Sequence, residues 1–289
     1  MFLADHVDPV ASCPTYWHRP IGKAVLMDKV ISADGTEIAY ERVGSGPTVV
    51  LVGGAFCDHT ATAELAEALA GDFTAISYDR RGRGESGDTQ PYDEQREVED
   101  ITALITAFGE RGFVHGISSG AGLCLVAAAG GAPVDAVSAL EPPYRVSQDA
   151  PPLPDDYLET LVELTSTGRR GEAVAYFMTV AVDQPPEAVD EVRKTPLWAG
   201  LKAMAHTLVY DARVHHEGTL PAGLLATVTV PVLGVHSTAS PAWLVAGAEA
   251  AAKAVPNGEI VGLPGGFHEV PAATLAPVLT EFFQRLTLA

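Results

Sequence analysis

A serine hydroxyl becomes a useful nucleophile only where the backbone lifts it clear of its neighbours, and one stretch of the 289-residue chain has the residues for that. Phe113-Val114-His115-Gly116-Ile117-Ser118-Ser119-Gly120-Ala121-Gly122 sets Gly116 and Gly120 two residues either side of Ser118. An apolar run precedes the serine and the alanine-rich Ala121 to Ala129 follows it, so the pattern reads as strand, turn, helix. On such a turn the glycines keep side chains out of a crowded bend while the serine stands above the sheet edge. The Ser119 amide then opens the helix, whose positive end faces the charge that develops on a carbonyl oxygen under attack. The chemistry expected is nucleophilic attack by Ser118 on a carbonyl carbon. The alternative reading of three glycines among serines is a plain tight loop.

Holding such a group in place takes a sheet. Val25 to Ser32 and Glu37 to Val43 flank the turn Ala33-Asp34-Gly35-Thr36, as two strands of a hairpin would. Thr48-Val49-Val50-Leu51-Val52 is a continuous β-branched run, as expected of a strand buried on both faces, and Phe73 to Tyr78 is expected to be the next buried strand. Helices are expected over 60–70 and 93–109, with strands over 112–117 and 134–140. The loop Asp79-Arg80-Arg81-Gly82-Arg83-Gly84-Glu85-Ser86-Gly87 lacks the Gly-Lys-Ser/Thr of a phosphate cradle, so nucleotide binding is not expected there. Strands alternating with helices imply an α/β fold with a mostly parallel, doubly wound sheet. After Glu141 the rhythm breaks: Pro142-Pro143 and Pro151-Pro152-Leu153-Pro154 open a segment with helical spacing and no strand pattern, for instance Tyr157, Leu158, Leu161, Val162 and Leu164. We expect an N-terminal arm over 1–23, a core of 24–144 and 222–289, and a helical cap inserted over 145–221. Strands at Val228 to Val235 and Glu259 to Leu263, with helices over 242–254 and 274–286, complete the core.

Bulk properties narrow the function classes. With 18 Lys and Arg against 37 Asp and Glu the formal charge is −19, which argues against a nucleic-acid or anionic-membrane surface. Cys13, Cys57 and Cys124 are odd in number and widely spaced, and are expected to be reduced thiols. The start, Met-Phe-Leu-Ala-Asp-His, lacks the basic residues of a signal peptide, and no apolar run reaches the roughly 18 residues of a membrane span. A cytoplasmic location is the resulting expectation.

The order of parts resembles the α/β-hydrolase fold over roughly residues 24–288. Three separated signals carry the likeness: Gly53-Gly54-Ala55 after a strand, the turn around Ser118, and Gly265-Gly266-Phe267-His268 ahead of the last helix. The resemblance implies His268 as the base, and the backbone amides of Ala55 and Ser119 as the oxyanion hole, with Phe56 a substitute for Ala55. Gly53-Gly54 has a second reading as close packing alone. The chemistry fits these types: a histidine can take the serine proton at neutral pH, and a carboxylate on its other nitrogen fixes the tautomer. The third member departs from the common pattern, because the loop His236-Ser237-Thr238-Ala239-Ser240-Pro241 holds no carboxylate. Glu141, directly after the strand 134–140, lies on the same sheet edge and is the expected acid. Its rivals are Asp211 or no acid at all, and its alternative role is to cap the entrance to Pro142-Pro143.

Other residues carry weaker expectations. Asp58 and His59 have a pocket reading and an equally good one as a cap for the next helix. Phe56, His206 and Trp198 are the candidate substrate contacts, with packing of the inserted helices the alternative for the last two. Trp243 is expected to pack the cap on the core, His236 to stand near the site, and His215-His216-Glu217 to form a solvated turn without metal-ligand spacing. The expected activity is hydrolysis of a carboxylic ester of a hydrophobic small molecule, without cofactor, through an acyl-enzyme on Ser118. A lactone is the favoured subclass, since the Gly-x-Ser-Ser-Gly turn, the glutamate after the following strand and the missing later acid are similar to zearalenone-type lactone hydrolases. The rivals are a non-hydrolytic enzyme of the same fold (lyase, cyclase or cofactor-free oxygenase) and a silent ligand-binding protein. The fold also commonly dimerises, which makes a homodimer an expectation of the resemblance.

Overall fold

A computed structural model describes residues 27–287, so the expected N-terminal arm and Cys13 lie outside the described residues. Strands β1 (Asp28–Ile31) and β2 (Glu37–Val43) form the expected hairpin, and β3 (Thr48–Val52) follows. Helix α1 (Ala63–Leu69), β4 (Thr74–Tyr78), α2 (Glu94–Thr106), β5 (Gly112–Ile117), α3 (Ser119–Ala129) and β6 (Val134–Leu140) continue the alternation. Helix α1 begins three residues later than the spacing suggests. A short 3-10 turn at His59–Ala61 precedes it, with the Asp58 carboxylate accepting from the Thr60 amide at 2.9 Å, so Asp58 takes the capping role.

Between β6 and the next strand the chain makes α4 (Tyr157–Ser166), α5 (Arg170–Tyr176), α6 (Pro186–Arg193), α7 (Leu197–Met204), α8 (Leu208–Val214) and α9 (Ala222–Leu225), with no strand among them. Helix α5 runs on into a π-helical turn at Phe177–Ala181. The sheet then resumes with β7 (Val232–Ser237), α10 (Ala242–Ala254), β8 (Gly258–Leu263) and α11 (Ala272–Thr287). Strand β7 starts four residues after the sequence pattern suggests, because Val228 belongs to the turn that closes α9 and donates its amide to Leu225.

The eight strands lie in the order β1-β2-β4-β3-β5-β6-β7-β8; β1 and β2 are antiparallel to their neighbours, and all others are parallel. This is the mostly parallel, doubly wound sheet expected. Period-two alternation divides the core in two: Val50 and Val52 of β3 face the α2 and α3 side, while Val49 and Leu51 face α1 and α11. Both faces are covered, so every residue of β3 and β4 is buried.

The parallel register is what gathers the site. Ile117 pairs with Leu140, and Leu140 with Val235, so β5 and β6 end level with one another and β7 runs two residues further, to Ser237. Residues just past those ends therefore share one edge: the Ser118 amide donates to the Leu140 carbonyl at 2.9 Å and the Glu141 amide to the Val235 carbonyl at 3.0 Å.

Two buried histidines give this core a pH dependence. Burial pushes His115, on β5, down to about 3, and His215, after α8, down to about 4, against an ordinary value of 6.5. Both stay neutral when folded, whereas the unfolded chain protonates them below pH 6.5, so their stabilising effect is complete above that pH and is lost as pH falls. Each removes about 1.4 kcal/mol per pH unit inside its own window. Thermal melts from pH 7 to 4 should show a falling Tm, with a shallower slope in His115→Met; a flat profile in the wild type would contradict this.

Candidate active site

Ser118 sits between β5 and α3 at φ 58° and ψ −123°, a conformation that costs a non-glycine residue about 1–3 kcal/mol. The surrounding backbone leaves it no alternative. A Cβ on Gly116 would collide with the Gly120 carbonyl, and one on Gly120 with the Val52 and Gly53 carbonyls. At Gly54 a Cβ would come within 3.0 Å of the Ser118 Cβ, so the oxyanion-loop candidate touches the nucleophile candidate directly. The glycines are thus required by close backbone approach, Gly116 to the first turn of α3 and Gly120 to the end of β3, and a plain loop would not need them. Gly116→Ala and Gly120→Ala should each destabilise the fold by at least about 1–3 kcal/mol, read as a fall in Tm, because a backbone carbonyl cannot yield as a side chain can.

Glu141 is fully buried and also has positive φ, at 47°. Its Oε1 accepts from the Ser237 amide at 2.7 Å, and its Oε2 lies 2.7 Å from His268 Nδ1. His268, at φ 56°, is fixed from the other side by its own amide donating to Ser240 Oγ at 2.9 Å. The carboxylate-free stretch His236 to Pro241 thus supplies Ser237, the last residue of β7, and Ser240 as supports. Ser118 and His268 both line one cavity, with Ala55 and Ser119 beside them. Of the seven described non-glycine residues with positive φ, Phe56, Ser118, Glu141 and His268 cluster here, which is where strain is expected to be kept when it serves a site.

Asp211, the rival acid, stands elsewhere in the same region. On α8 and almost wholly buried, its Oδ1 accepts from Ser119 Oγ at 2.7 Å and from Arg80 and Arg83 at 2.8 Å each. Burial pushes its carboxyl up, but Arg83 and Arg80 outweigh that and hold it below the usual range. It serves the arginines and Ser119, with no bond to His268.

The wall of the cavity differs from the expected one. His206 faces Asp88 at 3.6 Å and packs edge-on to Tyr210; Trp198 stacks with Arg193 at 5.2 Å; neither is among the lining residues. Phe56 reaches the cavity only through Phe177, whose ring it meets edge-on at 5.4 Å. The side chains that do line it include Arg145, Leu153, Phe177, Val182, His215 and Trp243. Trp243 was expected only to pack, and His215 to be solvated; instead His215 is 8 % exposed, and its Nδ1 accepts from the Gly218 amide at 3.0 Å. The proton of the neutral ring therefore sits on Nε2. Phe177 and Ala181, which line the cavity, are the first and last residues of the π-helical turn. His236, placed near the site by expectation, bends back on its own strand at the Ser237 carbonyl and does not line the cavity.

Arg145 has no carboxylate partner among the described ion pairs, although His268 and the arginines of the 79–87 loop all do. It donates to the carbonyls of Pro151 and Ala181 and stacks on Trp243 at 5.0 Å, which braces the segments that enclose the cavity. Burial lowers its pKa from the ordinary arginine value, and an arginine keeps its charge at neutral pH. Among the described residues no three His, Cys, Asp or Glu side chains gather as a metal-ligand set, and no helix is long and apolar enough to cross a membrane. The described thiols are buried, and burial pushes Cys57 up to about 12, so it is inert at neutral pH.

Solved structures with this architecture include an alpha/beta hydrolase from Sphaerobacter thermophilus, at 50 % identity and a TM-score of 0.82 over 89 % of this chain and 100 % of that one. A thermophilic esterase from Thermogutta terrifontis, solved with malate bound, shares 21 % identity and a TM-score of 0.69 over 91 % and 99 %. The enol-lactonase from Burkholderia xenovorans shares 21 % and 0.65 over 91 % and 100 %. The family model described as the alpha/beta hydrolase family matches residues 49–278, which takes in the Ser118 turn, the buried Glu141 and the His268 loop alike. The chain therefore belongs to the alpha/beta hydrolase family.

Proposed function

We propose that the protein is a serine hydrolase that cleaves a carboxylic ester, with lactones included, of a hydrophobic small molecule. The observation that carries the reading is the 2.7 Å contact between His268 Nδ1 and buried Glu141, in a ring that shares its cavity with the strained Ser118. Glu141 holds the imidazole with Nε2 open to take a proton. Ser118 Oγ gives that proton up as it attacks the ester carbonyl, and His268 returns it to the departing alcohol. The resulting acyl-enzyme is opened by water through the same base. Amides of Ala55 and Ser119 take the oxyanion, a role supported by their place on the cavity beside Ser118 and by Ser119 starting α3.

A mainly apolar cavity wall under the inserted helices, which act as a cap in this reading, supports an apolar substrate body. Esterase and enol-lactonase activities among proteins of the same architecture are consistent with ester or lactone cleavage, although at 21 % identity those proteins share the fold alone. The test is turnover of p-nitrophenyl esters of graded chain length beside simple and macrocyclic lactones. Hydrolysis of at least one class, rising with apolar bulk, supports the proposal. No turnover, together with saturable binding of unchanged ligand, would point to a binding protein; ester or lactone cleavage that survives loss of the Ser118 hydroxyl would mean that His268 activates water directly and no acyl-enzyme forms.

A further inference from the structure

The loop after β4 carries Arg80, Arg81 and Arg83, all three almost fully buried. Arg81 is matched by Asp100 at 2.7 Å and Asp34 at 2.9 Å, well away from the cavity, and is a structural tie. Arg80 and Arg83 are different, because each grips the backbone beneath the nucleophile. Arg83 Nη1 donates to the Gly54 carbonyl at 2.5 Å and its Nη2 to Asp211 at 2.8 Å. Arg80 donates to the Gly53 carbonyl and to Ser119 Oγ at 3.3 Å each, while Glu97 holds its far side at 2.7 and 2.8 Å. The Gly54 carbonyl belongs to the same planar unit as the Ala55 amide. In a trans peptide the C=O and N–H point in opposite directions, so a donor fixed on the oxygen aims the N–H away from itself.

Resting on the hydrolase reading, we infer that Arg83, together with Asp211 of α8, is a positioning residue of the oxyanion hole. Arg83 sets the plane of the Gly54–Ala55 peptide, and Asp211 anchors both Arg83 and the side chain of Ser119. One carboxylate from the inserted helices thereby holds both amide donors in register with Ser118. A charged donor on the Gly54 oxygen in a dry interior also polarises the peptide and strengthens its N–H as a donor. Stability alone does not account for the cluster. A buried ion pair contributes little over an apolar replacement, and Arg83 Nε and Asp211 Oδ2 are left without partners. What an apolar side chain at position 83 cannot do is hold the Gly54 oxygen.

Arg83→Met is compared with wild type on the best p-nitrophenyl ester, with active sites counted by end-point titration with a fluorophosphonate. A misplaced donor should lower kcat per titrated site about 10- to 100-fold with KM within about threefold. Affinity for an alkylboronic acid, which presents a tetrahedral oxyanion, should fall in the same proportion. A merely structural role would instead lower Tm and the titrated fraction and leave kcat per site and boronate affinity at wild-type values, which overturns the inference. Should Arg83→Met yield no folded protein, Arg83→Lys is read in its place. An ammonium lacks the planar fork that bridges Asp211 and the Gly54 oxygen together, so a smaller loss shared by kcat and boronate affinity supports the inference and wild-type values overturn it. A wild type that neither labels nor turns over defeats the hydrolase reading, and this inference with it; a wild type that does both while the variants keep its kcat defeats the inference alone.

Discussion

Ser118→Ala is expected to lower kcat by about 10⁶-fold for every ester the wild type cleaves, with KM little changed and the fold intact. The size follows from what the side chain does. The hydroxyl is the only atom removed, and Ala55, Ser119 and the cavity wall still bind substrate, so the loss falls on the step in which the acyl bond forms. Alanine adopts the same φ of 58° that the turn imposes, and among the described hydrogen bonds the hydroxyl makes none that the fold depends on, so Tm should move little. A variant that keeps more than about one part in a thousand of wild-type turnover would mean that some other group attacks the carbonyl.

Glu141→Gln is expected to lower kcat by about 10⁴-fold, again with little effect on KM. Ser237 donates its amide to Oε1, so the substituted side chain keeps its own oxygen there and turns its NH2 toward His268. Nδ1 must then accept, the ring proton moves to Nε2, and the nitrogen that should receive the Ser118 proton already carries one. The prediction separates two roles. If Glu141 only supports the entrance to Pro142-Pro143, the isosteric glutamine keeps that support and kcat stays close to wild type. Stopped-flow or steady-state assay of one ester, with a Tm beside it, distinguishes them. Asp211→Asn should not mimic this tautomer effect, because Asp211 touches Arg80, Arg83 and Ser119 instead of the imidazole.

The chain shows its three central residues plainly and hides their surroundings, for a physical reason. Ser118, Glu141 and His268 each follow an apolar run that must be a strand, and parallel strands deliver their C-terminal ends to one edge whatever the loops do. Gly116 and Gly120 are legible as well, since close backbone crossing tolerates no side chain. The cavity wall has no such rule. His215, Phe177 and Trp243 come from segments far apart in the chain, and their meeting depends on how the inserted helices fold back over the sheet edge. His206 and Trp198 lay on suitable helical faces, yet those faces turn to Tyr210 and Arg193. The three arginines after β4 are legible only as part of a loop, because their partners Asp34, Glu97, Asp100 and Asp211 are spread over more than half the chain. A signal was available: three arginines in nine residues of a chain with only 18 basic residues is a local excess in need of carboxylates.

The Ser237 and Ser240 contacts show why the carboxylate-free stretch His236 to Pro241 is compatible with a working site. That stretch supports the acid and the base through a backbone amide and a hydroxyl, and the acid itself arrives one strand earlier. Register makes this work, because Leu140 pairs with Val235 and sets Glu141 beside the last two residues of β7, where its Oε1 meets the Ser237 amide.

Treatment with a fluorophosphonate followed by peptide mass spectrometry tests the central claim most directly. The account predicts one phosphonyl adduct per chain, on Ser118, forming in step with loss of ester turnover and absent from Ser118→Ala. An adduct on any other residue, or full turnover with Ser118 quantitatively modified, would contradict it.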